Sequence, residues 1–343
     1  MSKFKQMVVK AVDVGYGNVK YTSLITSADV QCGIFPSIAP QISTGPDMAL
    51  GLLQKRNTVE VEVNGVRYEV GKDARLAQDA THGRILDSDY SMTDTHLALL
   101  RGALFYMGAP EIDLLVLGLP VNTHQKYAAV LAKKMTGRHP VPFKGDGPQE
   151  CVVHNVHVLP QPIGAFYDHT SRTGTYDKMR QQMNLLIDVG YFTLDWVVAA
   201  GSKVNTARSG ATNGGMSAVL RAITDSIAKD LQIQISDVSL VEDAIRNKKN
   251  PEFFGKEVAL ESHKKVGKTK ADVFVNTLAT KVGENYDISN IIMTGGGAEF
   301  FRASIEEKFP RHNIIMADSP VFANVRGFYK AGAHFASMMA KSA

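Results

Sequence analysis

Val12–Lys20 reads VDVGYGNVK, and Ile187–Asp195, far down the chain, reads IDVGYFTLD. An apolar run precedes each stretch, Met7–Val12 before the first and Asn184–Ile187 before the second. After its glycine, each resumes in residues that suit a return strand. A strand, a tight glycine turn and a second strand make a hairpin whose tip presents backbone N–H groups and one carboxylate. Two such tips facing each other across a cleft would clamp the phosphates of a nucleotide, with the carboxylates holding a metal ion. The repeat predicts a duplicated α/β chain.

Length and composition fit that expectation. The 343 residues suffice for two domains with separate cores. Hydrophobic residues make up 44% and charged residues 21%, as in ordinary globular proteins. A net charge of +4, spread along the chain, argues against direct nucleic-acid binding. No apolar stretch approaches a membrane span, and the opening MSKFKQMVV lacks the long apolar core of a signal peptide. Cys32 and Cys151 form no CxxC pair, which suits a reducing cytoplasm better than a disulfide framework.

Between and beyond the two hairpins the pattern alternates. Asn64-Gly65, between Val59–Val63 and Val66–Val70, predicts a further hairpin with a type I′ turn. A polar stretch, Asp73–Ser91, leads into a helix over Asp94–Met107 with Leu97, Leu100, Leu104 and Phe105 on one side. Ile112–Leu119 is apolar enough for a buried central strand. Asn122 is suited to cap the next helix, which carries Tyr127, Val130, Leu131 and Met135. A Pro/Gly-rich connection after Gly137 leads to an alternating strand, Cys151–Leu159, and a helix from Pro160. Strands are then expected at Leu185–Asp188, Thr193–Ala199 and Lys203–Arg208, and the loop Gly210–Gly215 opens a helix. Positions 236–284 read as helical with a break at Asn250-Pro251. Ile288–Met293 reads as a strand, Glu299–Lys308 as a helix, and Val321–Met339 as a last helix returning to the first half.

Three glycine segments carry the chemistry. In the first, Gly15, Tyr16, Gly17 and Asn18 admit an anionic group close to the backbone. Lys20 can reach the β- and γ-phosphates as a mobile point charge, and Asp13 can hold a hydrated Mg2+. In the second, Asp188 would face the metal beside Gly190 and Tyr191, while Thr193 can bond phosphate or the polarised water. Asp195 fits either a functional carboxylate or a structural one bonded to backbone. In the third, Thr294–Ala298 (TGGGA), the side-chain-free backbone of Gly295, Gly296 and Gly297 can lie against a purine and ribose. Gly214 and Gly215, opening another helix, can take the other side of the nucleotide. His154 and His157 have HxxH spacing on a strand, which puts them on opposite faces and implies no metal site. The lysines of Arg246–Lys270 read as a solvated helical face.

DVGYGNVK, LPQPIGAFYD, IDVGYFTLD, IIMTGGGAEFF and FANVRGFYKAG, in this order, resemble the actin/Hsp70/sugar-kinase ATPase superfamily. Within it the chain is most similar to the bacterial actin-like plasmid-segregation ATPases of the ParM/StbA type. Gly83–Asp87 and Asp113–Pro120 are further landmarks of that likeness. The resemblance implies an α/β, actin-like ATPase fold: two similar domains around a nucleotide cleft. Residues 1–168, completed by a C-terminal helix over 319–343, would form the first domain, and 169–318 the second. ATP and Mg2+ would be the cofactors, with Asp13 and Asp188 at the metal. Gln161, with Asp13 and Asp188, would serve catalysis by facing the attacking water. ParM-type chains often carry Glu at that position; an amide orients water rather than taking its proton. Tyr191 and Phe192 stand where small residues are often found. Pro162–Ala165 and Asn324, Gly327 and Ala331 would belong to two connecting helices.

The implied function is an ATP-dependent, filament-forming protein that partitions plasmid DNA by polymerisation and hydrolysis-driven disassembly. Its partners would be further copies of itself in a polar filament and a centromere-binding adaptor, with plasmid DNA engaged only indirectly and no membrane. A small-molecule kinase, or an Hsp70-like nucleotide sensor that does not polymerise, is the alternative within the same superfamily.

Overall fold

The DVGYG segment folds as the hairpin its sequence predicts. β1 (Val9–Val14) and β2 (Asn18–Ile25) run antiparallel, with Val14 opposite Val19 and Asp13 opposite Lys20. The computed structural model describes residues 7–26, 29–42, 56–78, 84–142 and 149–342. Gly83 and part of the Pro/Gly-rich connection, 143–148, lie outside the described residues. Met1–Asp177 with Ala317–Ala343 form one compact unit, and Lys178–Met316 a second.

In the first unit β3 (Val30–Pro36) pairs with β2. β4 (Thr58–Val63) and β5 (Val66–Gly71) form a separate hairpin around Asn64 and Gly65, whose φ values of 52° and 78° are those of a type I′ turn. α1 (Asp94–Met107) starts where the Thr93 hydroxyl accepts from the His96 N–H, and stops at Gly108 in the left-handed region. β6 (Glu111–Leu119) is buried along nearly its whole length, as a central parallel strand must be. α2 (Val121–Met135) begins two residues earlier than the Asn122 cap requires. Pro120 occupies the cap position and Asn122 sits inside the first turn, because proline's fixed φ already sets the chain for helix entry. β7 (Gly137–Pro140) and β8 (Glu150–Pro160) follow, then α3 (Gln161–Thr173). The sheet order is β3-β2-β1-β6-β8-β7, with β1, β6 and β8 parallel.

α4 (Tyr176–Met179) leads into the second unit. β9 (Met183–Val189) and β10 (Leu194–Ala200) make its hairpin, with Asp188 opposite Asp195. The expected strand Lys203–Arg208 is cut short. Only β11 (Lys203–Val204) pairs, because Asn205 turns the chain, its side-chain oxygen accepting from the Arg208 N–H. β12 (Gly210–Thr212) then rejoins β10, so the first half of the expected Gly210–Gly215 loop is strand. α5 (Met216–Leu231) and α6 (Ser239–Arg246) follow. The helical reading of 236–284 fails at its centre. After the Asn250-Pro251 break a short hairpin intervenes, β13 (Glu252–Phe253) with β14 (Lys256–Glu257), before α7 (Leu260–Val282). β15 (Ile288–Thr294), α8 (Ala298–Lys308) and β16 (Ile314–Met316), a strand that sequence reading missed, complete the unit. Its sheet runs β11-β10-β9-β15-β16, with β9, β15 and β16 parallel.

Both sheets share one plan: an antiparallel hairpin whose first strand continues sideways into two parallel strands. Each has its own core. Val9, Ala11, Leu114, Val116 and Phe328 pack in the first, and Leu185, Ile187, Val219, Ile223, Ile291 and Phe301 in the second. Full burial of such a side chain stabilises by roughly 1.5–3 kcal/mol relative to exposure.

α9 (Pro320–Ser342) returns the chain to the first unit, where it crosses α3. Gly164 of α3 and Gly327 of α9 bring the two backbones together. One turn along, Asp168 is 1% exposed and accepts from Arg326 Nη2 at 2.6 Å and from Lys330 Nζ at 2.7 Å. Among the described residues no helix is long and apolar enough to cross a membrane.

Candidate functional site

In the first unit the site is built at the carboxyl ends of β1, β6 and β8, where open α/β sheets bind their ligands. β1 delivers Asp13 to the base of the hairpin tip, and β2 delivers Lys20 directly opposite. β8 ends at Pro160, so Gln161 is the first residue of α3. Gly118 of β6 leaves the space that the Phe328 ring fills, with Gln161 beside it: a Cβ there would lie 2.5 Å from the ring and 3.1 Å from Gln161 Cγ.

These three side chains converge. Lys20 Nζ lies 3.0 Å from Asp13 Oδ2, and Gln161 Nε2 donates to Asp13 Oδ1 at 2.7 Å. Asp13 is 2% exposed and Gln161 7%, so the carboxylate is held by one cation and one amide away from bulk water. Facing a carboxylate, the amide must present its NH2 group, which leaves Oε1 as the end that can accept a hydrogen bond from elsewhere.

The tip itself is strapped from behind. Gly15 N–H donates to the Asn18 carbonyl at 3.2 Å. The Ser37 hydroxyl donates to the Gly15 carbonyl at 2.5 Å, and the Ser37 N–H to the Gly17 carbonyl at 3.0 Å. Tyr16 is turned inward. Its ring stacks on Tyr90 at 5.0 Å and its hydroxyl donates to the Asp87 carbonyl at 2.8 Å. Tyr16 therefore offers a ligand its backbone, not its buried ring. Ser37 and Tyr90 escaped the sequence reading because each reaches the tip through a separate strand or turn, with no local motif to mark it.

In the second unit the equivalent of the Asp13–Lys20 pair is Asp188 opposite Asp195, both buried. Among the described residues no group of three or more His, Cys, Asp or Glu side chains could hold a metal ion by itself.

The Gly190 tip is tied to α5. Gly190 N–H donates to the Thr193 carbonyl at 2.9 Å, and the carbonyls of Phe192, Gly190 and Tyr191 accept from the N–H groups of Gly215, Met216 and Ser217. The start of α5 is thus satisfied by the hairpin. Gly215 has a packing reason to be glycine, since a Cβ would lie 2.6 Å from the Gly190 carbonyl oxygen. Gly214 makes room for the ring of Phe274. Thr193 is 5% exposed beneath the tip, while Tyr191 is half-buried.

The Gly295–Gly297 loop packs on the same strand end. Gly295 has φ +91° and lies against Asp188 and Val189; Gly297 packs on Met216, and its N–H donates to the Val189 carbonyl at 2.9 Å. Gly296 alone of the three faces open space and has no such neighbour. The structure thus brings together Asp188, Gly190, Gly215, Gly295 and Gly297 in the second unit, and Asp13, Gly15, Lys20 and Gln161 in the first.

Duplicated sheets of this order, each ending in a glycine hairpin that carries an aspartate, define the actin-like fold. Residues 11–164 match the N-terminal domain of actin-like proteins, and residues 186–307 match the C-terminal domain of the archaeal actin homologue, MreB-like. No curated protein sequence matches the chain. Among solved structures it is similar to Ta0583, an archaeal actin homolog, at 21% identity and a TM-score of 0.77, covering 96% of this chain and 100% of that one. A 15-stranded ParM filament from Clostridium botulinum is similar at 19% identity and a TM-score of 0.75, covering 96% and 100%. Ta0583 in complex with ADP aligns at 20% identity and a TM-score of 0.74, again over 96% and 100%. The chain is an actin-like protein by fold over nearly its whole length.

Proposed function

We propose that this protein binds and hydrolyses ATP in the cytoplasm, and that its nucleotide state governs assembly of its copies into polar filaments that partition plasmid DNA through an adaptor. The observation that carries this reading is the Asp13–Lys20–Gln161 constellation beneath a strapped glycine tip. It combines a mobile cation, a buried carboxylate and an oriented amide at one strand end. The ADP complex of Ta0583 and the ParM filament, both of this fold, support the nucleotide and the assembly respectively.

In this mechanism the N–H groups of Tyr16, Gly17 and Asn18 cradle phosphate oxygens, and that of Tyr191 does the same in the second unit. Gly15 and Gly190, whose N–H groups close their own hairpin turns, leave room for the phosphate to approach. Lys20 moves from Asp13 to phosphate. Thr193 adds a hydroxyl, and the Gly295–Gly297 backbone lies against base and ribose. A magnesium ion, when bound, would neutralise phosphate charge, held through water by Asp13 and Asp188. Gln161 keeps its NH2 on Asp13 and turns Oε1 to the attacking water, orienting it without taking its proton. A small-molecule kinase would instead need a carboxylate free to deprotonate an acceptor, and Asp13 already has an amide on one oxygen and an ammonium on the other.

The test is light scattering of purified protein with ATP and magnesium, followed alongside phosphate release. Scattering that rises above a threshold concentration and decays as phosphate appears is expected, with phosphate release lost in Asp188→Ala. ATP hydrolysis with flat scattering at every concentration would instead leave a kinase or a sensor of the same fold.

A further inference from the structure

Two hairpins of this chain turn on nearly the same backbone. Asn64 and Gly65 take φ values of 52° and 78°; Phe254 and Gly255, joining β13 to β14, take 53° and 72°. Such two-residue turns need positive φ at both positions, which favours Asn, Asp or Gly at the first. Asn64 meets that demand. Phe254 does not: an aromatic residue in the left-handed region is strained, because its Cβ crowds the backbone.

Phe254 is also 86% exposed, whereas the adjacent Phe253 is 8% exposed and packs into the core of the second unit. The ring therefore contributes little packing within its own fold, and an asparagine would serve the turn better. A strained backbone and a solvated aromatic ring are accepted together at the tip of a projecting hairpin. Strain of this kind persists where a side chain has work beyond the fold.

We infer that Phe254 is an anchor that inserts into a second copy of this chain, a contact that rests on the filament reading above. One aromatic ring buries roughly 150–250 Å², a small share of the ~1,600 Å² of a standard interface. It cannot hold a partner alone, and it suits a contact whose remaining area comes from surfaces that meet anyway as copies stack. A protruding knob also needs a complement of different shape elsewhere on the molecule, which makes the contact heterologous and open-ended. Exposed charges of both signs surround it, Lys248, Lys249 and Lys256 with Glu252 and Glu257, so the ring does not sit in the uniformly basic patch that nucleic acid or an anionic lipid surface selects.

Two variants separate the ring from the turn. Phe254→Asn removes the ring and relieves the strain; Phe254→Ala removes the ring and keeps a Cβ in the left-handed region. Both should raise the critical concentration for ATP-dependent sedimentation about tenfold or more, the effect of losing a buried aromatic anchor. Phosphate release by dispersed protein below that concentration should not change. Only Phe254→Asn should raise the thermal unfolding midpoint, by about 1–3 °C. Unchanged assembly of both variants, beside a wild type that assembles, would overturn the inference and leave the filament reading standing. A wild type that never sediments with ATP would overturn the filament reading and the inference with it.

Discussion

Gly164 and Gly327 meet backbone to backbone where α3 crosses α9. A Cβ on Gly327 would collide with the Gly164 carbonyl group, and one on Gly164 would lie 2.5 Å from the Asn324 carbonyl oxygen. Because backbone cannot step aside as a flexible side chain can, Gly327→Ala must push the helices apart. Overpacking of this kind costs about 1–3 kcal/mol, and here the upper end is expected. Urea unfolding checks it; a loss below about 0.5 kcal/mol would show that the crossing yields easily.

Asp168 closes the same crossing electrostatically, with Arg326 and Lys330 both on its carboxylate. Asp168→Ala leaves two cations without their anion in a largely buried place, a change worth about 3–5 kcal/mol. A cycle with Arg326→Met should return part of that loss, since the double variant buries one fewer uncompensated charge. Strictly additive costs would argue that the pair is not coupled.

Removing the Gln161 amide should separate chemistry from binding. Gln161→Ala is expected to slow phosphate release about 10²-fold or more while nucleotide affinity changes only a few-fold. Single-turnover release and equilibrium titration with an ATP analogue measure the two independently. Equal losses in both would assign Gln161 to binding instead.

Gly296 and Gly297 should respond in opposite ways. Gly296 has open space where a side chain would go, so Gly296→Val should leave the unfolding midpoint within about 1 °C yet weaken nucleotide binding about tenfold. A Cβ on Gly297 would lie 2.5 Å from Met216 Cγ, so Gly297→Ala should destabilise the second unit first. Unaltered affinity in Gly296→Val would remove the loop from the proposed nucleotide contacts.

His96, in α1, should make the first unit acid-sensitive. Burial, with a smaller contribution from the charge of Lys134, lowers its pKa from 6.5 to about 3. The folded state therefore keeps the ring neutral while the unfolded chain takes up a proton below about 6.5. Its contribution is complete above that pH and is lost as pH falls toward 3, by up to about 1.4 kcal/mol per unit. His96→Leu should flatten the urea midpoint between pH 6.5 and 4. An unchanged slope would place the acid sensitivity elsewhere.

What could be read from sequence was what the chain encodes locally. The Asn64-Gly65 turn, the α1 limits at Asp94 and Met107 and the apolar run of β6 each carry a short-range cause, and each appears in the structure. The 252–257 hairpin was missed because Phe254 at its turn contradicts turn preference, and the Asn122 cap failed because Pro120 had already set the helix entry. At the site, Asp13 and Lys20 were visible through their spacing around a glycine turn. That Gln161 bonds Asp13, or that Ser37 straps Gly15 and Gly17, depends on which strands become neighbours. No window of adjacent residues contains that information.

The Asp13–Lys20 pair has a consequence for what the proposed site accepts. The two charges cancel before any ligand arrives, so the first hairpin carries no standing positive field that would draw in every polyanion. A phosphate group arriving alone would take Lys20 and strand a carboxylate that is 2% exposed, a costly exchange. A phosphate arriving with its cation supplies a new partner to each side at once. On the proposed reading the pair would act as a lock with two wards, turned by a metal-complexed nucleotide and resistant to orthophosphate or metal-free ATP.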